Sequence, residues 1–311
     1  MFEAGLIASR FLHYMSSMAL VGVSLFLLYA YPRRRRPANP FRRLQSVLFV
    51  AAIAALVSGI LWVVFAIGDM SGSLAVAVDR DTLWALLQET DFGRIWAARL
   101  GLSIVILGLT GFLVRRTAPR LRELLTAFLA AALLATLAGV GHTHVNDGIA
   151  GVIHMGADAA HLLAAGAWLG GLLCLGFILA AVGPSSRSPK PGEIYRVLQR
   201  FSGMGYVAVA VLVGSGLINS WFLVGSFSGL IETSYGQVLL AKIGLFSAMV
   251  ALAAFNRFWL VPSLARACET EQAAVWTIRL RRHVVGEQAL GTLIVLIVSV
   301  LGTLRPAVSD L

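Results

Sequence analysis

Charge is scarce in this sequence. Asp, Glu, Lys and Arg make up 13% of 311 residues, while apolar side chains make up 58% and the mean hydropathy is +0.83. A water-soluble fold of this length needs far more polar surface, so the solvent is the bilayer. Cysteine is nearly absent, with only Cys174 and Cys268 present. Two thiols exclude a thiolate-built metal site. One sits in an apolar run and the other in a polar connection, which argues against a disulfide. Acids number 15 against 25 bases, for a net charge of +10. That excess is divided among short connections between apolar segments, so it does not form a nucleic-acid surface. The first apolar run, from about residue 6 to 31, is too long for a signal-peptide core and has no small-residue cleavage site.

What is present is a series of eight apolar runs, at about 7–31, 44–68, 94–114, 123–145, 151–182, 201–224, 236–260 and 285–304. Each is long enough to cross roughly 30 Å of hydrocarbon at about 1.5 Å per residue. The connections alternate in charge. Arg33 to Arg36 with Arg42 and Arg43 follow the first run, and Arg115, Arg116, Arg120 and Arg122 follow the third. Arg187, Lys190, Arg196 and Arg200 follow the fifth, and Arg266, Arg279, Arg281 and Arg282 follow the seventh. The other connections carry acids: Asp69, Asp79, Asp81, Glu89 and Asp91, then Asp147, then Glu232. Bases on one side mark the cytoplasm, which puts both termini outside. The expected fold is an all-α polytopic membrane protein with eight transmembrane helices, N-out and C-out. In the long outer connection, Thr82 to Gln88 reads as an interfacial amphipathic helix anchored by Trp84. The inner connection at 262–284 is expected to pack on the cytoplasmic face.

The two halves share an order of short motifs. Phe92-Gly93 precedes Arg99-Leu100-Gly101-Leu102 at the spacing by which Tyr235-Gly236 precedes Lys242-Ile243-Gly244-Leu245. His13 precedes Gly22 as His161 precedes Gly170, and Ser58-Gly59 has its counterpart in Ser215-Gly216. The pattern predicts a parallel repeat of four plus four helices, 1–145 and 146–311, about an axis along the membrane normal.

An ionisable group within a bilayer needs a partner or a purpose. His154, Asp158 and His161 fall at i, i+4 and i+7, on one face of the fifth span, and Trp168 continues that stripe. Gly141-His142-Thr143-His144 closes the fourth span on the same side, and His13 matches His161 in depth. These residues form the expected metal set: His13, His142, His144, His154, Asp158 and His161. Asn219 and Trp168 are read as supporting groups. Imidazole suits copper, zinc and haem iron, and a carboxylate favours divalent ions. Met15, Met18 and Met155 are read as packing, and His283 as a solvated boundary residue. Arg99 and Lys242, in matching positions, can snorkel outward, pair with Asp158, Asp91 or Glu232, or hold an anion such as a haem propionate.

The stretch from His154 through Asp158 and His161 to Trp168 and Gly170-Gly171 resembles the fifth-helix region of the bacterial copper-resistance membrane protein family CopD. Phe201-Ser202, Gly214 through Asn219 to Trp221, Tyr235-Gly236 to Lys242, and Asn256-Arg257 agree as well, with the likeness clearest over about 150–262. The resemblance implies an eight-helix protein of the bacterial inner membrane that handles copper. It also implies a separate periplasmic CopC-like copper-binding partner. Three functions follow from the residues and the resemblance together. The first is copper passage through the outer His/Asp cluster. The second is a b-type haem redox protein with His13 and His161 as axial ligands and Arg99 and Lys242 on the propionates. The third is a copper scaffold or sensor that does not pass its metal. A transporter or metal-binding protein is expected over an enzyme.

Overall fold

Hydrocarbon offers the backbone no hydrogen-bonding partner, so a run that crosses it must satisfy its own amides and carbonyls, and every long apolar run here folds as a helix. The computed structural model describes residues 2–31, 38–112, 118–140, 148–182, 191–267 and 272–309. Eight helices are long and apolar enough to span a membrane, and no strand occurs among the described residues.

In chain order the helices are α1 (Phe2–Tyr29), α2 (Ala38–Ser71), the short α3 (Leu74–Ala77) and α4 (Arg80–Glu89), then α5 (Asp91–Leu107) and α6 (Pro119–Ala135). They continue with α7 (Gly148–Ala180), α8 (Pro191–Leu223), the short α9 (Phe227–Glu232), α10 (Ser234–Phe255), α11 (Val261–Arg266) and α12 (Ala273–Leu301). Several outrun the apolar limits read from the sequence. Helix α8 begins at Pro191 instead of near 201, and α12 at Ala273 instead of near 285. Arg, Glu and Gln are good helix formers, so the helices continue past the hydrocarbon edge on their polar ends. The inner connection expected at 262–284 is therefore mostly helical. The α10 helix passes through a π-turn, Asn256–Leu260, into α11, and α12 follows after a few residues.

Helix α4 corresponds to the amphipathic segment expected around Trp84, whose ring is exposed. Asp79 caps it, accepting from the Thr82 amide at 3.0 Å and from its hydroxyl at 2.9 Å. These bonds favour the charged form and hold the Asp79 carboxyl below the usual carboxylate range. The sequence reading missed α9, which stands before α10 as α4 stands before α5.

The two junctions are built alike. Thr90 accepts from the Gly93 amide at 2.9 Å and donates to the Leu86 carbonyl. Thr233 accepts from the Gly236 amide at 3.0 Å and donates to the Gly229 carbonyl. A Cβ on Gly93 would lie 1.9 Å from the Leu86 oxygen, and one on Gly236 would lie 2.3 Å from the Gly229 and Leu230 oxygens. The Phe-Gly and Tyr-Gly motifs therefore mark where a short helix ends directly against the next span.

Helices α1 and α7 form the centre. Helix α1 packs on α2, α6, α7 and α12, and α7 on α1, α8, α12 and α6. They cross backbone to backbone at Gly22 and Gly170, where a Cβ on Gly22 would fall 2.4 Å from the Gly166 oxygen and from the Gly170 Cα. Small residues permit that approach, and in lipid it is close packing that holds helices together. Helix α10 is peripheral, with only 11% of its most apolar window buried against 72% for α7.

Candidate functional site

Two histidines, the buried His13 and the half-buried His161, are each held by a serine from the neighbouring helix. In the first half His13 on α1 is 1% exposed, with Nδ1 3.0 Å from the Ala55 carbonyl and 3.0 Å from Ser58 Oγ. Arg99 donates from Nη2 to His13 Nε2 at 2.5 Å. A guanidinium has only donors, so Nε2 accepts and the ring proton sits on Nδ1, facing the Ala55 carbonyl. Both nitrogens are thus engaged. Arg99 also donates from Nη1 to the Leu133 carbonyl and to Thr136 Oγ1, each at 2.7 Å. Trp62 and Trp96 enclose the imidazole at centroid distances of 5.8 and 5.6 Å, and Arg99 lies 5.0 Å over Trp96.

Arg99 is buried, makes no ion pair among the described residues, and closes the first half by bonding three acceptors at once. Replacing Arg99 with alanine strands the His13 ring nitrogen, the Leu133 carbonyl and the Thr136 hydroxyl without this donor. The expected cost is about 3–5 kcal/mol, read as a lower melting temperature in detergent. Melting unchanged from wild type would count against the seal.

In the second half His161 on α7 has Nδ1 3.0 Å from Ser215 Oγ on α8. The Ser215 hydroxyl donates to the Val211 carbonyl at 2.5 Å, so its oxygen accepts from the His161 Nδ1–H. The proton is again on Nδ1, and Nε2 carries the lone pair. Lys242 matches Arg99 in the sequence motifs, but no hydrogen bond joins it to the ring, and among the described residues His161 Nε2 has no partner.

Asp158 lies just under one turn from His161 and accepts from Asn219 Nδ2 at 3.1 Å. The Asn219 Oδ1 is buried with no partner among the described residues. Lys242 lies within electrostatic range of Asp158 and His161, and Tyr14 and Tyr235 within range of Asp158. His161, Asp158, Asn219 and Lys242 thus come together across α7, α8 and α10.

His154 and Trp168 have other surroundings. His154 stacks on Phe222 at 4.8 Å, and Trp168 packs edge-on to Phe246 at 6.2 Å. His142 and His144 lie outside the described residues. Among the described residues no three His, Cys, Asp or Glu side chains converge as metal ligands. No bis-histidine haem site is found either, since the His13 Nε2 lone pair is already taken by Arg99. The serines were noted in the sequence only as matched motifs. That Ser58 and Ser215 orient the histidines emerges from helix packing, although their equal order in both halves was a usable signal.

The halves differ in how they close. Helix α2 packs along α5, whereas α8 and α10 barely meet. His13 and Arg99 are buried, whereas His161, Asp158, Asn219 and Lys242 are each half-buried.

Residues 1–152 match the family described as copper resistance protein D-like, N-terminal domain, and residues 195–301 match copper resistance protein D. The chain is 33% identical to the inner membrane protein YebZ of Escherichia coli (strain K12) over 302 residues, covering 96% of this chain and 98% of YebZ. It is 32% identical to the copper resistance protein D of Pseudomonas syringae pv. tomato over 304 residues, 96% of each chain. The copper transport protein CutJ of Bacillus subtilis (strain 168) is 28% identical over 264 residues, 81% of this chain and 46% of CutJ. No solved structure matches the chain.

Proposed function

The chain belongs to the copper resistance protein D family, and we propose that it carries copper across the membrane through its second half, with His161 accepting the metal. It is a multi-pass protein of the bacterial inner membrane. The observation that carries the reading is the open Nε2 lone pair of His161, on a ring oriented by Ser215 and close to Asp158. Imidazole nitrogen with a carboxylate oxygen is a donor pair that copper accepts, and a hydrogen-bonded second nitrogen is how ligating histidines are usually held. Lys242 supplies the counter-charge to Asp158, and incoming copper displaces it. His13, with both nitrogens engaged, keeps the first half rigid while the second half does the work.

The chain enters from the periplasm, N-out and C-out, as two repeats, 1–145 and 146–311. The paired His–Ser contacts, the paired threonine caps and the π-turns Gly108–Phe112 and Asn256–Leu260 support that symmetry. A CopC-like periplasmic protein delivers copper at the outer end of α7, on which His154 lies.

The test is elemental analysis of the purified protein after incubation with excess copper and washing. About one copper per chain, without iron, is the expected result for a single site of this kind. Stoichiometric iron with no retained copper would overturn the reading in favour of a haem protein.

A further inference from the structure

A second polar cluster lies away from His161, and the copper reading leaves it unused. Gly291 of α12 abuts Leu169 of α7, so Glu287, about one turn earlier on α12, lies roughly 18 Å from His161 by helical rise. Glu287 is 3% exposed. Its side-chain partner is Asn256, whose Nδ2 donates to Oε1, and it makes no ion pair among the described residues. Asn256 is 6% exposed and opens the π-turn after α10. Wide turns of this kind recur at functional sites.

Beside this carboxyl, Asn256 Oδ1 is buried with no hydrogen-bond partner among the described residues, and on α12 His283 Nδ1 is likewise unpartnered. His283 precedes Glu287 by one turn, and its ring stacks on Phe255, next to Asn256, at 5.4 Å. The two α12 side chains therefore address the same stretch of α10. A buried amide oxygen without a donor is costly, and the one on Asn256 stands beside the carboxyl as an acceptor for a proton.

We infer that Glu287 is a proton-binding site in the basic-end half of the membrane, positioned by Asn256 and reached past His283. A proton is the cation that fits a single carboxyl with amide neighbours. Asparagine suits both states: its Nδ2 donates to the carboxylate, and its Oδ1 accepts from the carboxylic acid once the amide turns over. The step is reversible addition of a proton to one Glu287 oxygen, and no electrons move.

The titratable groups on neighbouring elements at this level are few. Cys174 on α7 is a buried thiol. Arg257 in the π-turn donates to Tyr206 Oη at 3.3 Å, and Arg266 on α11 donates to the Pro262 carbonyl at 3.4 Å. On α12 itself, Arg281 and Arg282 are exposed at the basic end.

Dicyclohexylcarbodiimide, which modifies protonated carboxyls in apolar surroundings, tests this on the full-length protein in membranes. Modification of Glu287 is read by peptide mass spectrometry across a pH series with no copper present, so the result stands apart from the copper reading. Labelling is expected to fall about tenfold per pH unit above the carboxyl's midpoint. In Asn256→Ala that midpoint is expected to move, which a purely structural role would not require. Glu287→Gln keeps the acceptor for Asn256, so it is expected to melt like wild type and to lose the label at this position. No label at any pH overturns the proposal, and so does a label independent of pH. Protection by added copper at constant pH would make this a metal site and overturn the proton assignment.

Discussion

Replacing His161 with alanine is expected to weaken copper binding by about 100-fold or more, a loss of roughly 2.7 kcal/mol, while the protein still inserts and folds. The reasoning rests on the Nε2 lone pair. It has no partner among the described residues, and the Ser215 bond keeps the ring turned so that it stays available. Ser215→Ala removes only the orienting bond, and its expected cost is about 10–100-fold, the usual range for groups that hold a ligand from behind. His13→Ala is the discriminating control. Both of its nitrogens are engaged, so its loss is expected to lower stability and leave copper affinity unchanged. Isothermal titration with copper on the three variants separates these outcomes. Equal loss of affinity in His13→Ala and His161→Ala would sink the assignment of the metal to the second half.

Gly22→Ala is expected to destabilise the protein by about 3 kcal/mol or more, at or beyond the upper end for overpacked interiors. A methyl at Gly22 meets backbone on both sides, 2.4 Å from the Gly166 oxygen and 2.4 Å from the Gly170 Cα. No rotamer change relieves such a contact, so α1 and α7 must separate and disturb the crossing on which both halves rest. Gly244→Ala makes the same chemical change on α10, where a Cβ meets nothing within 4 Å, and is expected to leave melting unchanged. Equal melting temperatures for the two variants in detergent would remove the close crossing as a source of stability.

Reading the sequence recovered the eight spans and the matched motifs, because both follow from hydropathy and local spacing. It also singled out His13, Asp158 and His161, on the argument that an ionisable group in lipid needs a purpose. It passed over Glu287, an acid within the eighth apolar run, although the same argument applied to it. Asn256, its partner, is contributed by a different helix, and only the π-turn and the packing of α10 on α12 join them.

By itself the sequence determined the solvent, the helix count and the parallel order of the motifs, because bilayer thickness and backbone satisfaction leave little choice once the apolar runs are written. Tertiary structure decided which of two like histidines keeps a free nitrogen. Arg99 and Lys242 hold matching positions in the sequence motifs, yet only Arg99 forms a hydrogen bond with a histidine. The Leu133 carbonyl and Thr136 hydroxyl help aim its fork, the first from the last turn of α6 and the second from the residue that caps it. Where α8 and α10 stay apart, no such convergence occurs, and the His161 lone pair remains open. Hydrogen-bond direction depends on groups brought together from several helices, and no pattern along one strip of chain contains that information.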